Sequence, residues 1–204
     1  LRVIGLIKRV LIACCLALVL LHPALFSDKS EETPEYQLKG TFIERIVRFI
    51  QWPEDSPVNN KSRPFIIGII GENPFLVKQK GEDAPKDWLE LIYIEQGIKI
   101  KSKPTEVRYI SDIDGIRECN LLFVSKSEKK MLPEIVAAAR ENHVLTFSDV
   151  DGFAKKGIHI NLILKSGNVK YEVNQTGIVE AGLTIKYQLL KYAAKIEDPQ
   201  KKRR

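Results

Sequence analysis

The sequence predicts an α/β protein: a layered α/β/α domain whose largely parallel sheet is extended by an antiparallel hairpin. Three observations carry this. Phe65–Ile70 and Leu121–Val124 are continuous apolar runs bounded by turn signals, the pattern of strands buried on both faces. Segments with helical apolar spacing alternate with such runs, as in strand–helix repeats. Nearer the C-terminus, Ile158, Ile160, Leu162 and Leu164 alternate with other residues, as do Val169, Tyr171 and Val173, and Gly167-Asn168 between them suits a hairpin turn.

In chain order, Leu38, Phe42, Ile46 and Phe49 recur at helical spacing, and Glu44 stands four residues before Arg48, so residues 35–50 are expected to be helical. Trp52-Pro53 stops that helix, and 54–63 is a polar loop. After the first strand, Asn73 suits a helix cap and Pro74 a first helical position; the amides there could receive an anion, although neither glycine-rich phosphate signature is present. Residues 76–95 read as helical with a polar interruption at 81–87. Residues 98–101 and 106–110 read as strand pieces around Pro104. Ser127 is expected to cap a helix running to about Asn142, with Leu132, Ile135, Val136 and Ala139 on its apolar face. Residues 144–147 form the next strand. Asn174 is expected to cap a last helix reaching Ala194, with Ala181 and Gly182 packed closely in its core face.

The chain has 204 residues and a formal net charge of +6. The excess is terminal. Setting aside three basic residues in 1–27 and four in 201–204 leaves 25 basic against 26 acidic. The body therefore lacks the basic surplus that phosphate backbones require, and no nucleic-acid partner is expected. Arg2, Lys8 and Arg9 precede a 12-residue apolar centre at 10–21, shorter than the about 20 residues a spanning helix needs. Residues 1–27 are thus read as an export signal, or as an N-terminal anchor if uncleaved. Residues 28–34 are a linker, 35–194 the domain, and 195–204 a basic tail. Removing the signal leaves Cys119 alone beside an apolar strand, a buried and inert thiol with no disulfide. Cys119, His143 and His159 have no ligand spacing, so neither metal nor cofactor is expected.

Candidate functional residues are few. Ser148 and Asp149 follow a strand end, where sites of open α/β sheets gather. No G-x-S-x-G elbow exists and neither histidine is paired with a nucleophile, so a turn in which both side chains accept backbone amides is favoured over a hydrolase. Asn161, among apolar strand neighbours, is expected to bond a nearby loop backbone. His159 falls on the hairpin face opposite Ile158 and Ile160 and is expected to be exposed. Trp52 is either an aromatic anchor for a partner or a lid over the first helix.

Taken in order, several of these segments resemble one family over residues 35–194. They are Leu38-Lys39-Gly40-Thr41-Phe42 with Phe49 and Trp52-Pro53; Phe65 to Gly71 with Asn73-Pro74-Phe75; and Cys119 with Leu122-Phe123-Val124-Ser125. Most specific are Val144 to Asp149, Gly152-Phe153-Ala154, Gly157, Ile160-Asn161 and Tyr171-Glu172-Val173-Asn174, with Ala181-Gly182-Leu183 and Leu189-Leu190 completing the set. This pattern is similar to the YfiR family of small exported bacterial proteins. The resemblance implies a periplasmic regulator, not an enzyme, that restrains an inner-membrane signalling enzyme (a diguanylate cyclase or a sensor kinase) through its periplasmic part. It also implies an outer-membrane lipoprotein as a further partner. The alternative function is a periplasmic small-molecule sensor or solute-binding domain. The oligomeric state stays open, a dimer included. Trp52, Asn73, Ser148, Asp149, Phe153, His159 and Asn161 are the expected partner- or ligand-binding residues. The sequence departs from the family in having one body cysteine where redox-active disulfides are usual, and in His159, where a small or apolar residue is usual.

Overall fold

The computed structural model describes residues 35–77 and 84–197. The expected export signal, the linker and the end of the basic tail lie outside these residues, as do residues 81–83 of the polar interruption at 81–87.

A seven-stranded sheet organises the domain. Its strands in chain order are β2 (Phe65–Ile70), β5 (Thr105–Ile110), β6 (Leu121–Val124), β7 (Leu145–Ser148), β8 (Ile160–Lys165), β9 (Asn168–Asn174) and β11 (Lys195–Glu197). Their spatial order is β11-β9-β8-β7-β6-β2-β5, and every neighbouring pair is parallel except the β8–β9 hairpin. This is the predicted architecture. Alternate strand residues divide between two cores. Ile67, Ile69, Leu121, Phe123, Leu145, Phe147, Ile160 and Leu162 face one, together with helix α1 (Glu35–Val47). Leu122 and Val124 face the other, with Leu132, Ile135 and Ala139 of α3 (Leu132–Glu141). Gly68 lets Cys119 cross the second face: a Cβ there would stand 2.5 Å from the Cys119 Sγ.

Several local expectations are corrected. α1 ends at Val47 because Ile50–Gln51 (β1) pairs with Thr184–Ile185 (β10) in a separate two-stranded sheet. The buried stripe of α1 is Lys39, Gly40, Ile43, Ile46 and Val47, while Leu38 and Phe42 are only partly covered. Asn73 starts no helix. Its carboxamide oxygen accepts the Phe75 amide (2.9 Å), closing a turn, and Leu76–Val77 (β3) then pairs with Lys86–Asp87 (β4). Helical structure follows only at α2 (Trp88–Glu90), capped by Asp87, and in a wider-turned segment Leu91–Glu95. Residues 98–101 provide no strand, only an isolated bridge between Ile100 and Lys103. Ser127 caps nothing; it sits in a 3-10 turn, Lys126–Lys129, and α3 begins later.

The last helix is broken. α4 (Gln175–Glu180) ends because Gly182 adopts φ +70°, a conformation that favours glycine. The Leu183 amide then bonds the Ile178 carbonyl (3.0 Å), the chain continues as β10, and only then forms α5 (Tyr187–Lys191). The hairpin turn is shifted by one residue: Ser166 and Gly167 carry the positive φ, and Lys165 pairs with Asn168. Lys195–Glu197, expected as tail, adds the edge strand β11.

Candidate functional site

The strand order fixes where a ligand crevice can open. From β2 the chain passes outward to β5, then returns across β2 to β6 and continues the other way. The connections after β2 and β6 therefore diverge, leaving a cleft at the C-terminal ends of the strands. A crevice of about 570 Å³ lies there. Gly71, directly after β2, has φ +89°, and a Cβ on it would collide with the Ser127 hydroxyl, so the chain can turn into the crevice only with glycine. Ser127 Oγ accepts the Glu72 amide (3.0 Å) and joins the two diverging loops.

One wall is the first turn of α1. Lys39 is 3% exposed, and its Nζ donates to Asp149 Oδ2 at 2.7 Å and also to the Glu35 carboxylate. The same ammonium lies 4.6 Å from the centre of the Tyr36 ring. Burial, then the Asp149 charge and hydrogen bond, push the Tyr36 hydroxyl well above its ordinary value of 10.0. Asn73, which lines the crevice, donates to Asp87 Oδ2 outside it (2.6 Å), and the Tyr109 hydroxyl bonds the same carboxylate at 2.6 Å. Ser125 lies between these walls. Its hydroxyl is buried and has no hydrogen-bond partner, although a buried hydroxyl is normally satisfied. The crevice thus offers an unfilled hydroxyl and an anchored ion-pair cluster, and no nucleophile–base pair.

The expected site residues divide. Asn73 and Asp149 line this crevice. Ser148 lies just beneath it and is fully buried, donating to the Val124 carbonyl at 2.7 Å. Phe153 belongs to the second core. His159 is buried at 2% exposure, against the expectation of an exposed side chain. Its Nδ1 accepts the Thr146 amide (3.0 Å), and the Thr146 hydroxyl accepts the His159 amide (2.9 Å). Burial pushes its pKa down to about 4, outweighing a hydrogen bond to the Gly177 backbone. Asn161 does not hold a loop backbone. It donates to Glu172 across the hairpin (3.1 Å), and its own carbonyl oxygen has no partner. Asn174 instead takes the loop role, donating to the Ala154 carbonyl at 2.9 Å. The most specific stretch of sequence therefore builds a buried polar layer that pins the 149–157 loop. Trp52 stands at the opposite end of the sheet, 9% exposed and edge-on to Phe65.

Lys39, Tyr36 and Ser125 were missed as site residues. Glu35 and Lys39 at i,i+4 were the available signal for the first wall, and a lysine within an otherwise apolar helix stripe was the second.

The described residues form a doubly wound α/β domain with a polar crevice at its switch point. Its family is settled by sequence: the YfiR/HmsC-like family profile matches residues 36–194, and the chain belongs to that family. No curated protein matches the chain. Among solved structures, a conserved domain protein from Vibrio cholerae is similar at 11% identity, with 80% of this chain and 60% of that one covered and a TM-score of 0.50. The ABC domain in complex with L-Trp from Streptococcus pneumonia has 11% identity, coverage of 76% and 61%, and a TM-score of 0.45. CD0873, a substrate binding protein with adhesive properties from Clostridium difficile, has 11% identity, coverage of 67% and 56%, and a TM-score of 0.44. The chain thus spans less than two thirds of the length of each. The first likeness supports the α/β fold. Among the described residues no helix is long and apolar enough to cross a membrane.

Proposed function

We propose that the protein is an exported periplasmic regulator that modulates an inner-membrane signalling enzyme, a diguanylate cyclase or a sensor kinase, by binding its periplasmic part. The observation that carries this reading is the family match over residues 36–194. The basic and apolar pattern of residues 1–27 supports export, by a cleaved signal or a retained anchor, with 28–34 as the linker. An outer-membrane lipoprotein is the second partner in this reading. The test is crosslinking in whole cells. Recovery of a membrane protein with a periplasmic domain, together with raised cyclic-di-GMP after gene deletion, supports a cyclase partner. Unchanged nucleotide levels with no membrane protein recovered would count against the reading.

A second reading is favoured by one observation, the unpartnered Ser125 hydroxyl in the switch-point crevice. In it the domain is a periplasmic small-molecule sensor whose ligand bonds Ser125 between Asn73 and Asp149. A ligand that stabilises the folded state raises the melting temperature, and Ser125→Ala abolishes that rise. A flat screen of small polar solutes removes this reading.

A further inference from the structure

A second crevice, of about 670 Å³, lies beside the N-terminal ends of β2 and β5, at the far end of the sheet from the switch point. Its lining is basic. Lys61 comes from the loop before β2, Lys101 and Lys103 from the turn before β5, and Trp52 from the end of β1. Arg63 lines the adjoining depression, which shares Trp52 and Val58. Among the described residues none of these four cations has a carboxylate partner. Glu54 stands at the crevice without pairing to any of them.

The buried polar atom left without a partner at this crevice is a donor. The Trp52 indole N–H is buried and has no partner. Lys103 is 6% exposed, and its ammonium has one partner, the Val58 carbonyl at 2.8 Å. The Lys101 ammonium also has one, the Ile50 carbonyl at 2.6 Å, and lies 5.6 Å from the centre of the Trp52 ring. An ammonium has three donors, so each lysine keeps two to offer. Both lysines are depressed below the ordinary 10.5, by burial first and by a neighbouring cation second, Lys186 for Lys101 and Arg63 for Lys103.

The turn that presents them is strained. Lys101 and Ser102 have φ of +52° and +62°, in a four-residue reversal closed by Ile100 and Lys103. Asn-Gly would be the relaxed choice in such a turn. Strain of this kind persists where the surroundings over-determine it and is concentrated at binding sites. Here it brings two lysines to one crevice.

We propose that this crevice is an anion site that takes a phosphate group. A carboxylate is flat and suits the planar fork of arginine. Ammonium and indole donors lining one crevice from three separate segments suit a tetrahedral anion with at least three acceptor oxygens. The phosphate belongs either to a small soluble phosphate compound or to a phospholipid headgroup. The site lies apart from the switch-point crevice and stands or falls independently of the regulatory reading.

The experiment is calorimetric titration of the protein with inorganic phosphate at constant ionic strength, with acetate as the control anion. In parallel, co-sedimentation is measured with phosphatidylglycerol vesicles against phosphatidylcholine vesicles. The expected result is saturable 1:1 phosphate binding, weakened at least about tenfold by Lys101→Gln and by Lys103→Met, with Lys170→Gln unchanged. Lys101 is exposed, so its variant keeps the test valid if Lys103→Met folds poorly. Variant-sensitive binding to the anionic vesicles without phosphate binding assigns the group to a lipid headgroup and also supports the site. Equal binding of acetate overturns the phosphate assignment. Binding in neither assay, or binding that both variants leave intact, overturns the site itself.

Discussion

Two lysines lie buried at opposite ends of one sheet, and they are held in opposite ways. Lys39, at the C-terminal ends of the strands, is enclosed by Glu35, Asp149 and the Tyr36 ring. Lys103, at the N-terminal ends, meets one carbonyl and the neighbouring Arg63 cation. Taking an ammonium out of water costs several kcal/mol, which a well-placed carboxylate offsets and a lone carbonyl does not. The first lysine therefore fastens α1 to the β7 loop. The second is kept against its own electrostatics, which is what a site awaiting an anion entails. Burial alone does not separate structural from binding lysines; the count of compensating partners does.

The largest effect expected is on the compensated side. Lys39→Met leaves the Asp149 carboxylate, whose side chain is only 10% exposed, without its counter-ion, and stability should fall by about 3 kcal/mol or more. Urea midpoints measure this. A loss below about 1 kcal/mol would break the comparison, since Lys39 would then be no better compensated than Lys103.

A third buried base, His159, isolates burial from pairing. Its folded pKa of about 4 lies below the ordinary 6.5, so the unfolded chain binds more protons between these values. Stability from the neutral imidazole is present above pH 6.5 and is lost as pH falls toward 4, by about 3 kcal/mol. Unfolding curves across this range should show the loss, and His159→Leu should flatten it while lowering stability at pH 7 through the unserved Thr146 amide.

Smaller, and opposite in sign to Lys39→Met, is the effect of Lys103→Met. Removing a buried ammonium that lacks a counter-ion should leave stability unchanged or raise it by up to about 1 kcal/mol. A base with a lowered folded pKa is destabilising while charged. Wild-type stability should therefore rise relative to the variant as pH climbs from the lowered value toward 10.5. Paired pH titrations of the two proteins measure the difference directly.

The smallest expected effect is none. Cys119 is the free cysteine of the described residues, 4% exposed, and burial pushes its thiol up to about 12. Reductant should not move the denaturation midpoint, and a thiol reagent should label the protein quickly only after unfolding. A large midpoint shift would show that Cys119 pairs between chains.

The layered fold was legible because continuous apolar runs such as Phe65–Ile70 and Leu121–Val124 declare doubly buried strands, and hairpin alternation declares its own register. What failed was local. A helical period ran through Gly182 because nothing in the spacing reveals that β1 needs β10 as a partner across more than a hundred residues of chain. Asn73 has the same short-range chemistry as a helix cap and as a turn, and the β3–β4 pairing decided between them. Of the candidate residues, Asp149 and Asn73 were reachable from strand-end reasoning. Ser148, Asn161 and His159 were also candidates, but a polar residue alternating within a strand reads the same whether its face meets water or a pinned loop. The basic crevice was hidden because its lysines are distributed over segments that only the fold brings together.

The exchange between Thr146 and His159 has a consequence for how the sheet breathes. Ladder pairing between β7 and β8 covers only Phe147 with Ile160 and Ser148 with Asn161. The next step along the junction is made by side chains, each residue's amide bonding the other's side-chain acceptor. The sheet is therefore two panels, β5-β2-β6-β7 and β8-β9-β11, joined by a short seam. A protonated imidazole has no lone pair for the Thr146 amide, so acidification opens the seam at one hinge pin. The amide proton of Thr146 should then trade with solvent deuterium before those of Leu122 or Phe123.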